Sequence, residues 1–374
     1  MDVKARPLET DSWRDRRRWL RLPMRLHSDD PHFVPPLIAD EKTRFFGDEN
    51  PIFDFTDVCY FLAERSDGTP VGRISAHINH NHNDFHDERT GFFGFFETVK
   101  DLQVARVLLG GAEDWLKERG MERVRGPFNF STNEESGLLV DGFNSPPAIM
   151  MDYSKPFYDS FIKQCGYEKT KDLLALDYQY PGEIPDHIHR FADRVEDKLD
   201  LRVRTVEMDN LEKDVRTVLD IFAAAWRDNW GFIPMTEAEL AHMAEELRPV
   251  IEPDLALIAE KDGEQVGFCL ALPDYNKLLR KCHGRLIPEG LFYFLFGRCL
   301  IRRVRVLLFG VRPNYRRAGV DMMLLYHLFC NGSALGYTSA EMSWILEDNE
   351  LMLRTIRRFG GREHKRYRIY EKEL

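Results

Sequence analysis

At 374 residues the chain is long enough for two domains of ordinary size, each with its own core. Its composition, 43% hydrophobic and 30% charged with 26 Phe, 13 Tyr and 6 Trp, excludes a disordered or collagen-like chain. A formal charge of −10 excludes a surface given over wholly to nucleic-acid phosphates.

The first residues include Asp2, Lys4 and Arg6 rather than an apolar leader, and the cysteines (Cys59, Cys165, Cys269, Cys282, Cys299, Cys330) form no CxxC pair. The expectation is a reducing, cytoplasmic setting with free thiols. Trp13 to Leu26 is a basic amphipathic stretch interrupted by Pro23, read as a helix with a solvated basic face. A Pro-rich turn (Pro31, Pro35, Pro36) leads to a helical stretch at 38–46. Strands at 58–64 and 71–78 flank the turn Ser66-Asp67-Gly68-Thr69-Pro70. A strand at 91–96, a helix from about 102 to 119 closed by Gly120, and strands at 124–130 and 173–178 complete a mixed first half.

Within that half, His77, His80, His82 and His86 lie close together with Asp84 and Asp87 among them. Metal ligation and a general base are both open readings, but Asn79, Asn81 and Asn83 make this a polar turn, and no metal is expected. The run 126–135 carries polar residues just past a buried strand, either as a site or as a capped turn that starts a helix.

After a linker at Pro181 to Pro185 the order of elements repeats. A strand at 201–208 precedes helices at 215–226 and 236–247, and a hairpin at 255–260 and 265–272 follows. Then come a strand at 304–311, a helix at 321–334, a strand at 339–345, a helix at 349–359 and a strand at 367–371. This is a duplicated α+β topology, divided as domains 1–180 and 181–374.

The informative segment is Val311-Arg312-Pro313-Asn314-Tyr315-Arg316-Arg317-Ala318-Gly319-Val320, between an apolar strand and a helix. Such a loop leaves backbone N–H groups unpaired at a helix N-terminus, where Gly allows close approach and Arg adds charge; that arrangement suits a pyrophosphate. The segment V-x-P-x-Y-R-x-x-G, followed by a helix, a Gly, a strand and an Asn-led helix ending in Gly-Gly, resembles the coenzyme A site of the GNAT acyltransferase superfamily. The resemblance runs from about Leu201 to Leu374, and more loosely through the first half. It implies two tandem GNAT-like domains, each a mixed, mostly antiparallel sheet flanked by helices. It also implies acyl-CoA held by Phe309, Val311, Arg316, Arg317, Ala318, Gly319, Val320 and Asn349, with a backbone N–H around 309–311 polarising the thioester carbonyl.

In the superfamily pattern R/Q-x-x-G-x-G/A, Asp321 stands where a small residue is usual. A carboxylate there repels phosphate unless it turns away as a helix cap. The first half has neither Gly nor Arg at the matching place, 96–103, so it is expected to lack a phosphate loop. By resemblance to N-myristoyltransferases and FemA-like enzymes, it would wall the acceptor cleft. The usual acid of the superfamily falls on Ile356. Acid–base work therefore passes to Glu347 and Asp348, or to Glu97, Glu134, Tyr153 and Tyr158.

Residues 276–305 form an insertion with a net charge of +7, leaving −17 for the remainder. Its apolar part, Leu286 to Ile301, is too short and too broken to span a bilayer as one helix. Apolar and aromatic residues between cationic flanks suit an anionic membrane surface or a lipid-like acceptor, or else a helical hairpin packed on the fold. Together with the two halves, the insertion looks like the bacterial ceramide-synthase-type N-acyltransferases. That resemblance implies a long-chain, sphingoid-like amine and a peripheral place on the inner membrane; no nucleic-acid partner is expected, because the aromatics of the insertion sit among aliphatics in a non-RNP pattern. Acetylation of a small soluble or protein amine, and non-catalytic binding of acyl-CoA or lipid, remain open.

Overall fold

A computed structural model describes residues 3–47, 49–182, 186–199, 201–285, 297–316 and 318–374. The strands are β1 (Val3–Pro7), β2 (Thr56–Arg65), β3 (Pro70–Asn79), β4 (Thr90–Thr98), β5 (Arg123–Gly126), β6 (Leu138–Asp141), β7 (Glu168–Gln179), β8 (Leu201–Thr205), β9 (Ala256–Lys261), β10 (Glu264–Pro273), β11 (Arg303–Val311), β12 (Ser339–Leu346) and β13 (Arg362–Glu373). The fold is mixed α+β, in two units. The first comprises Met1–Leu173, Asn276–Gly297 and Lys365–Leu374, and the second Leu174–Tyr275 and Arg298–His364.

In the first unit the strand order is β1-β2-β3-β4-β5-β13, with β6 beside β13. Among the described residues the pairings β1·β2, β2·β3, β3·β4, β5·β13 and β6·β13 are antiparallel, and β4 with β5 is parallel, its crossover the helix Leu102–Lys117. That helix buries Val104, Ala105, Leu108, Leu109, Ala112 and Leu116 at three- and four-residue spacings, one stripe laid on the sheet. Strand residues alternate between faces. Phe61 and Ala63 of β2 join the helix-side core, whereas Tyr60 and Leu62 pack with Trp19 and Phe45 of the helices Trp13–Leu26 and Ile38–Phe46. The strand beside β5 comes from the far end of the sequence: Tyr370–Glu373 pair with Arg123–Gly126. Asp172, fully buried, accepts from Arg368 Nε (2.7 Å) and Arg366 Nη1 (3.0 Å) and lies 3.0 Å from Lys169.

The second unit orders its strands β7-β12-β11-β10-β9-β8, with β11 and β12 parallel and bridged by the helix Val320–Ala334. A Cβ on Gly267 of β10 would meet Val320 and Leu324 of that helix. Its neighbour Phe268 packs instead with Ile221 and Phe222 of the helix Leu211–Trp226. Adjacent strand residues point to opposite faces, so the two helices cover opposite sides of this sheet.

Three local readings need correction. His80–His86 is a helix, N-capped by the Asn79 side chain, because an Asx oxygen satisfies the His82 N–H that a turn would leave free. The run after β5 starts no helix: β5 ends at Gly126 because Pro127 has no N–H to offer, and Ser131 Oγ instead accepts from Asn133 N in a tight turn. The strand expected at 201–208 stops at Thr205. Residues 183–185 of the expected linker, 286–296 of the insertion, and Arg317 lie outside the described residues. Among the described residues no helix is long and apolar enough to cross a membrane.

Candidate functional site

In the second unit, β11 and β12 run in register from Arg303 opposite Ser339 to Val306 opposite Met342, and no pairing continues beyond. The strands part there, and a cavity of about 430 Å³ fills the opening. A bulge at Leu307, which has no partner between Ala271 and Leu270 of β10, accompanies the parting. Beyond it, Gly310 lies opposite Phe268 and the Arg312 N–H bonds Val266 O, so the even residues turn their backbone groups to β10. In an extended strand a residue's N–H and C=O share an edge, so Phe309 and Val311 turn theirs to the cavity. The Phe309 carbonyl indeed accepts from Trp226 Nε1 at 3.0 Å.

The helix Val320–Ala334 begins beside this edge. Gly319 sits at its N-cap with φ 88°, a left-handed conformation, and no side chain caps the first turn. Its leading N–H groups are therefore available to an anion, with the helix dipole behind them. Asp321 lines the cavity but is no cap: its carboxylate accepts from Thr355 Oγ1 at 2.8 Å. Arg316 also lines the cavity and donates to Ala225 O, near the carbonyl end of the helix Leu211–Trp226. Asp348 and Asn349 complete the rim, and the Asn349 side chain is spent on Met352 N, 3.2 Å away. Glu347 is not among the lining residues.

The base of the opening is held by charge. Glu341, 1% exposed, accepts from Arg303 Nη2 (3.0 Å) and Ser343 Oγ (2.9 Å), and Arg305 Nε donates to Ser343 Oγ (3.0 Å). Burial alone would raise the Glu341 carboxyl, but His364, Arg303, Ser343 and Arg305 outweigh it and hold it down at about 2.

The matching place in the first unit is closed. Its parallel pair is prolonged by Phe128 N bonding Phe93 O at 2.8 Å, and the Phe95 N–H at the β4 irregularity is taken by Asn129 Oδ1 at 2.9 Å. Phe95, Phe128 and Phe130 along this edge are buried, with the Phe95 and Phe130 rings 4.9 Å apart. The helix Leu102–Lys117 is capped by its own Asp101 carboxylate, 2.9 Å from Gln103 N, so an anion would meet negative charge there.

Four of the residues singled out from sequence fall in this closed unit. Glu97 and Tyr158 are brought together, the Tyr158 hydroxyl donating to Glu97 Oε2 at 2.7 Å, and His27 Nε2 lies 2.9 Å from the same oxygen. Burial pushes the Glu97 carboxyl up, but the His27 ring, Arg73 and Tyr158 hold it below its usual range. A carboxylate accepts only, so His27 presents its Nε2 proton to Glu97. Its Nδ1 is buried without a hydrogen-bond partner among the described residues. Tyr153 donates to Asp30, and its ring lies 5.9 Å from that of His27. Glu134 stands apart, 3.1 Å from Arg44. Next to that pair, burial and repulsion from Glu135 raise the Asp152 carboxyl well above its usual value.

Glu97→Gln is expected to destabilise the first unit by about 3 kcal/mol, because it removes the carboxylate whose charge most favours the buried Arg73 guanidinium. Tyr158→Phe is expected to cost about 2 to 3 kcal/mol, because the buried hydroxyl both donates to Glu97 and accepts from the Thr98 N–H. The midpoint of urea unfolding checks both.

The histidine run holds no metal cluster: among the described residues no three His, Cys, Asp or Glu side chains are placed to ligate an ion. Burial drops His77 and His82 to about 3, and His80, paired with Asp57, faces solvent. Sequence reasoning missed Trp226, Asp228, Asn229 and Trp230, which close one side of the cavity from the end of the helix Leu211–Trp226. A Trp pair four residues apart at a helix end was the available signal.

Comparison with known proteins follows this geometry. No protein-family model matches the chain. It is 35% identical over 382 residues to a Caulobacter vibrioides protein called bacterial ceramide synthase, covering 100% of this chain and 98% of that protein. It is also 35% identical to Escherichia coli YghO, over 96% of this chain and 93% of the other. Among solved structures, a tandem GNAT protein from the clavulanic acid biosynthesis pathway aligns with a TM-score of 0.57 at 14% identity, over 100% of this chain and 98% of that one. The chain therefore has the tandem GNAT fold, and it belongs to the family of the Caulobacter and E. coli proteins.

Proposed function

We propose that the second unit binds an acyl-CoA at the parting of β11 and β12, and that the enzyme transfers its acyl group to a long-chain, sphingoid-like amine. The pyrophosphate would lie on the leading N–H groups of the helix Val320–Ala334, around Ala318, Gly319 and Val320, with Arg316 beside it. The thioester carbonyl would take a hydrogen bond from the Phe309 or Val311 N–H. The amine nitrogen attacks that carbonyl carbon, and the resulting oxyanion is held by the same amide. Collapse breaks the C–S bond, the thiolate takes up a proton, and the nitrogen loses one to a base; amide and free coenzyme A are the products. Asp348, on the cavity rim, is the carboxylate we assign to the base.

The observation that carries this reading is the contrast between the units: the second offers an open edge and an uncapped helix N-terminus where the first has filled both. The long-chain acceptor draws support from the full-length similarity to a protein named bacterial ceramide synthase. The test is release of free thiol across acyl-CoA chain lengths, against amines that include sphinganine-like bases, short soluble amines and a lysine peptide, with products weighed by mass spectrometry. An N-acylated long-chain base is expected. Acylation of the short amines or the peptide alone would overturn the acceptor class, and absence of thiol release with every pair would overturn the enzymatic reading.

A further inference from the structure

The helix Trp13–Leu26 of the first unit leaves one face to solvent, and that face is cationic. Arg14, Arg17, Arg21 and Arg25 are exposed and follow one another at spacings of three, four and four residues, which is a single stripe on a helix. The opposite face, Trp19, Leu20 and Leu22, is buried in the core. At 1.5 Å per residue the stripe is about 16 Å long. Arg18 Nη1 lies 2.6 Å from Glu64 Oε1, Arg16 donates to Thr10 O, and Arg25 of the stripe donates to Pro70 O. The carboxylates within reach, Asp15 and Glu64, are already shared between Arg6 and Arg18. Arg14, Arg17 and Arg21 have no acidic partner among the described residues.

The turn at 283–285 extends the stripe. Gly284 is fitted against Met24, where a Cβ would come within 2.6 Å of the Met24 methyl, and its carbonyl accepts from Ile38 N. This seats Arg285 and His283 beside the helix, and together they line an open groove of about 680 Å³ with no acidic residue in its wall among the described residues. Crowding among the cations registers at Arg25, where burial and then the nearby Arg65 and Arg18 lower the guanidinium below its usual value. At one end stands Trp13, 69% exposed and part of the same wall.

A globular surface that gathers cations without counter-charge is spending electrostatic energy that a bound anion would return. The distribution says which kind. The arginines form a line about 16 Å long, which suits several phosphates in a plane better than one phosphate at a point. A single exposed indole at the end of that line is the side chain favoured at a bilayer's polar boundary. Single-stranded nucleic acid would instead call for aromatic rings interleaved with the cations.

We propose that the face formed by Arg14, Arg17, Arg21, Arg25 and Arg285, with Trp13 at its edge, binds the phosphate headgroups of an anionic membrane. The inference deepens the proposed function, since it gives that reading the surface from which a long-chain amine is taken. It rests on a different part of the chain from the acyl-CoA cavity and needs no turnover to be tested.

The experiment is co-sedimentation of the full chain with vesicles of phosphatidylcholine alone or with added phosphatidylglycerol, without acyl-CoA or amine. Binding is expected only to the anionic vesicles, falling steeply as salt rises. An arginine near an anionic surface contributes about a fivefold factor in affinity, so Arg14→Gln, Arg17→Gln and Arg21→Gln together should weaken partitioning on the order of a hundredfold. The triple Lys variant should retain most of it, because the attraction is one of charge. Trp13→Ala should weaken binding in a way that high salt does not mask. Melting midpoints of the variants close to the parent's establish that they are folded, which these solvent-facing positions favour. Equal binding to neutral vesicles, or an unchanged triple Gln variant, overturns the proposal. So does tighter binding to a single-stranded oligonucleotide or to free inorganic phosphate than to the vesicles. If vesicle binding behaves as stated while no thiol is released in the enzyme assay, the acyltransfer reading fails and this one stands.

Discussion

Gly319→Asp is expected to raise the KM for an acyl-CoA on the order of a hundredfold, whereas Gly319→Asn raises it only a few-fold. Both side chains tolerate the left-handed φ of 88° at this position better than other residues, at about 1 kcal/mol each. Both can also cap the helix Val320–Ala334, so the two variants should fold alike. They differ in charge. A carboxylate about 5 Å from a phosphate, at an effective dielectric constant of about 20, is repelled by about 3 kcal/mol, which is the hundredfold. The measurement is the acyl-CoA dependence of thiol release, with the shift in melting temperature on adding acyl-CoA as a readout of binding. Equal KM for the Asp and Asn variants would put the phosphates elsewhere than this helix. Asp321 does not duplicate the effect of Gly319→Asp, because Thr355 draws its carboxylate aside.

The second large effect concerns stability. Asp172→Ala is expected to destabilise the first unit by about 3 to 5 kcal/mol, since it leaves Arg366 and Arg368 beside an uncompensated, buried position. For a unit of about 200 residues that lowers the melting temperature by roughly 10 °C. Burial by itself would raise the Asp172 carboxyl, but Arg368, Lys169 and Arg366 more than offset it and bring it to about 2. In the unfolded chain the same carboxyl titrates near its ordinary value of 3.8. The stabilisation is therefore complete above about pH 5, declines as pH falls through 3.8, and is gone once the folded-state value near 2 is passed. Urea midpoints taken from pH 6 downward should converge for parent and variant at the acid end. A constant gap between the two curves would show that the ion pairs contribute nothing to the effect.

Much of the architecture is legible along the chain because its signals are local. The stripe at Val104, Leu108 and Leu116, the glycine at 120 and the alternation in β2 and β3 each state an element within a dozen residues. The strand–loop–helix at 303–334 is likewise readable, as is the absence of Gly and Arg at 96–103. What failed was chemistry whose partner lies far off. Asp321 reads as a helix cap until Thr355, 34 positions later, claims it. Glu97 and Tyr158 read as free acid–base candidates until folding binds them to each other and to His27. Trp226 and Trp230 read as helix end and loop, and their four-residue spacing does not say which strands they face across the cavity.

By itself the sequence determined two α+β halves of similar order, one with a glycine-bearing anion loop and one without, because strand alternation, helix periodicity and loop chemistry are properties of neighbouring residues. Only the tertiary structure decided which opening stays open. In the second unit β11 and β12 part after Val306 and Met342, while in the first Asn129 and Phe128 close the same edge. It also decided that residues 365–374 complete the sheet of the first unit, and that the arginines of Trp13–Leu26 meet Arg285 across some 260 positions of sequence. These outcomes depend on strand pairing and charge balance between residues distant in the chain, and such pairings leave no periodic trace along it.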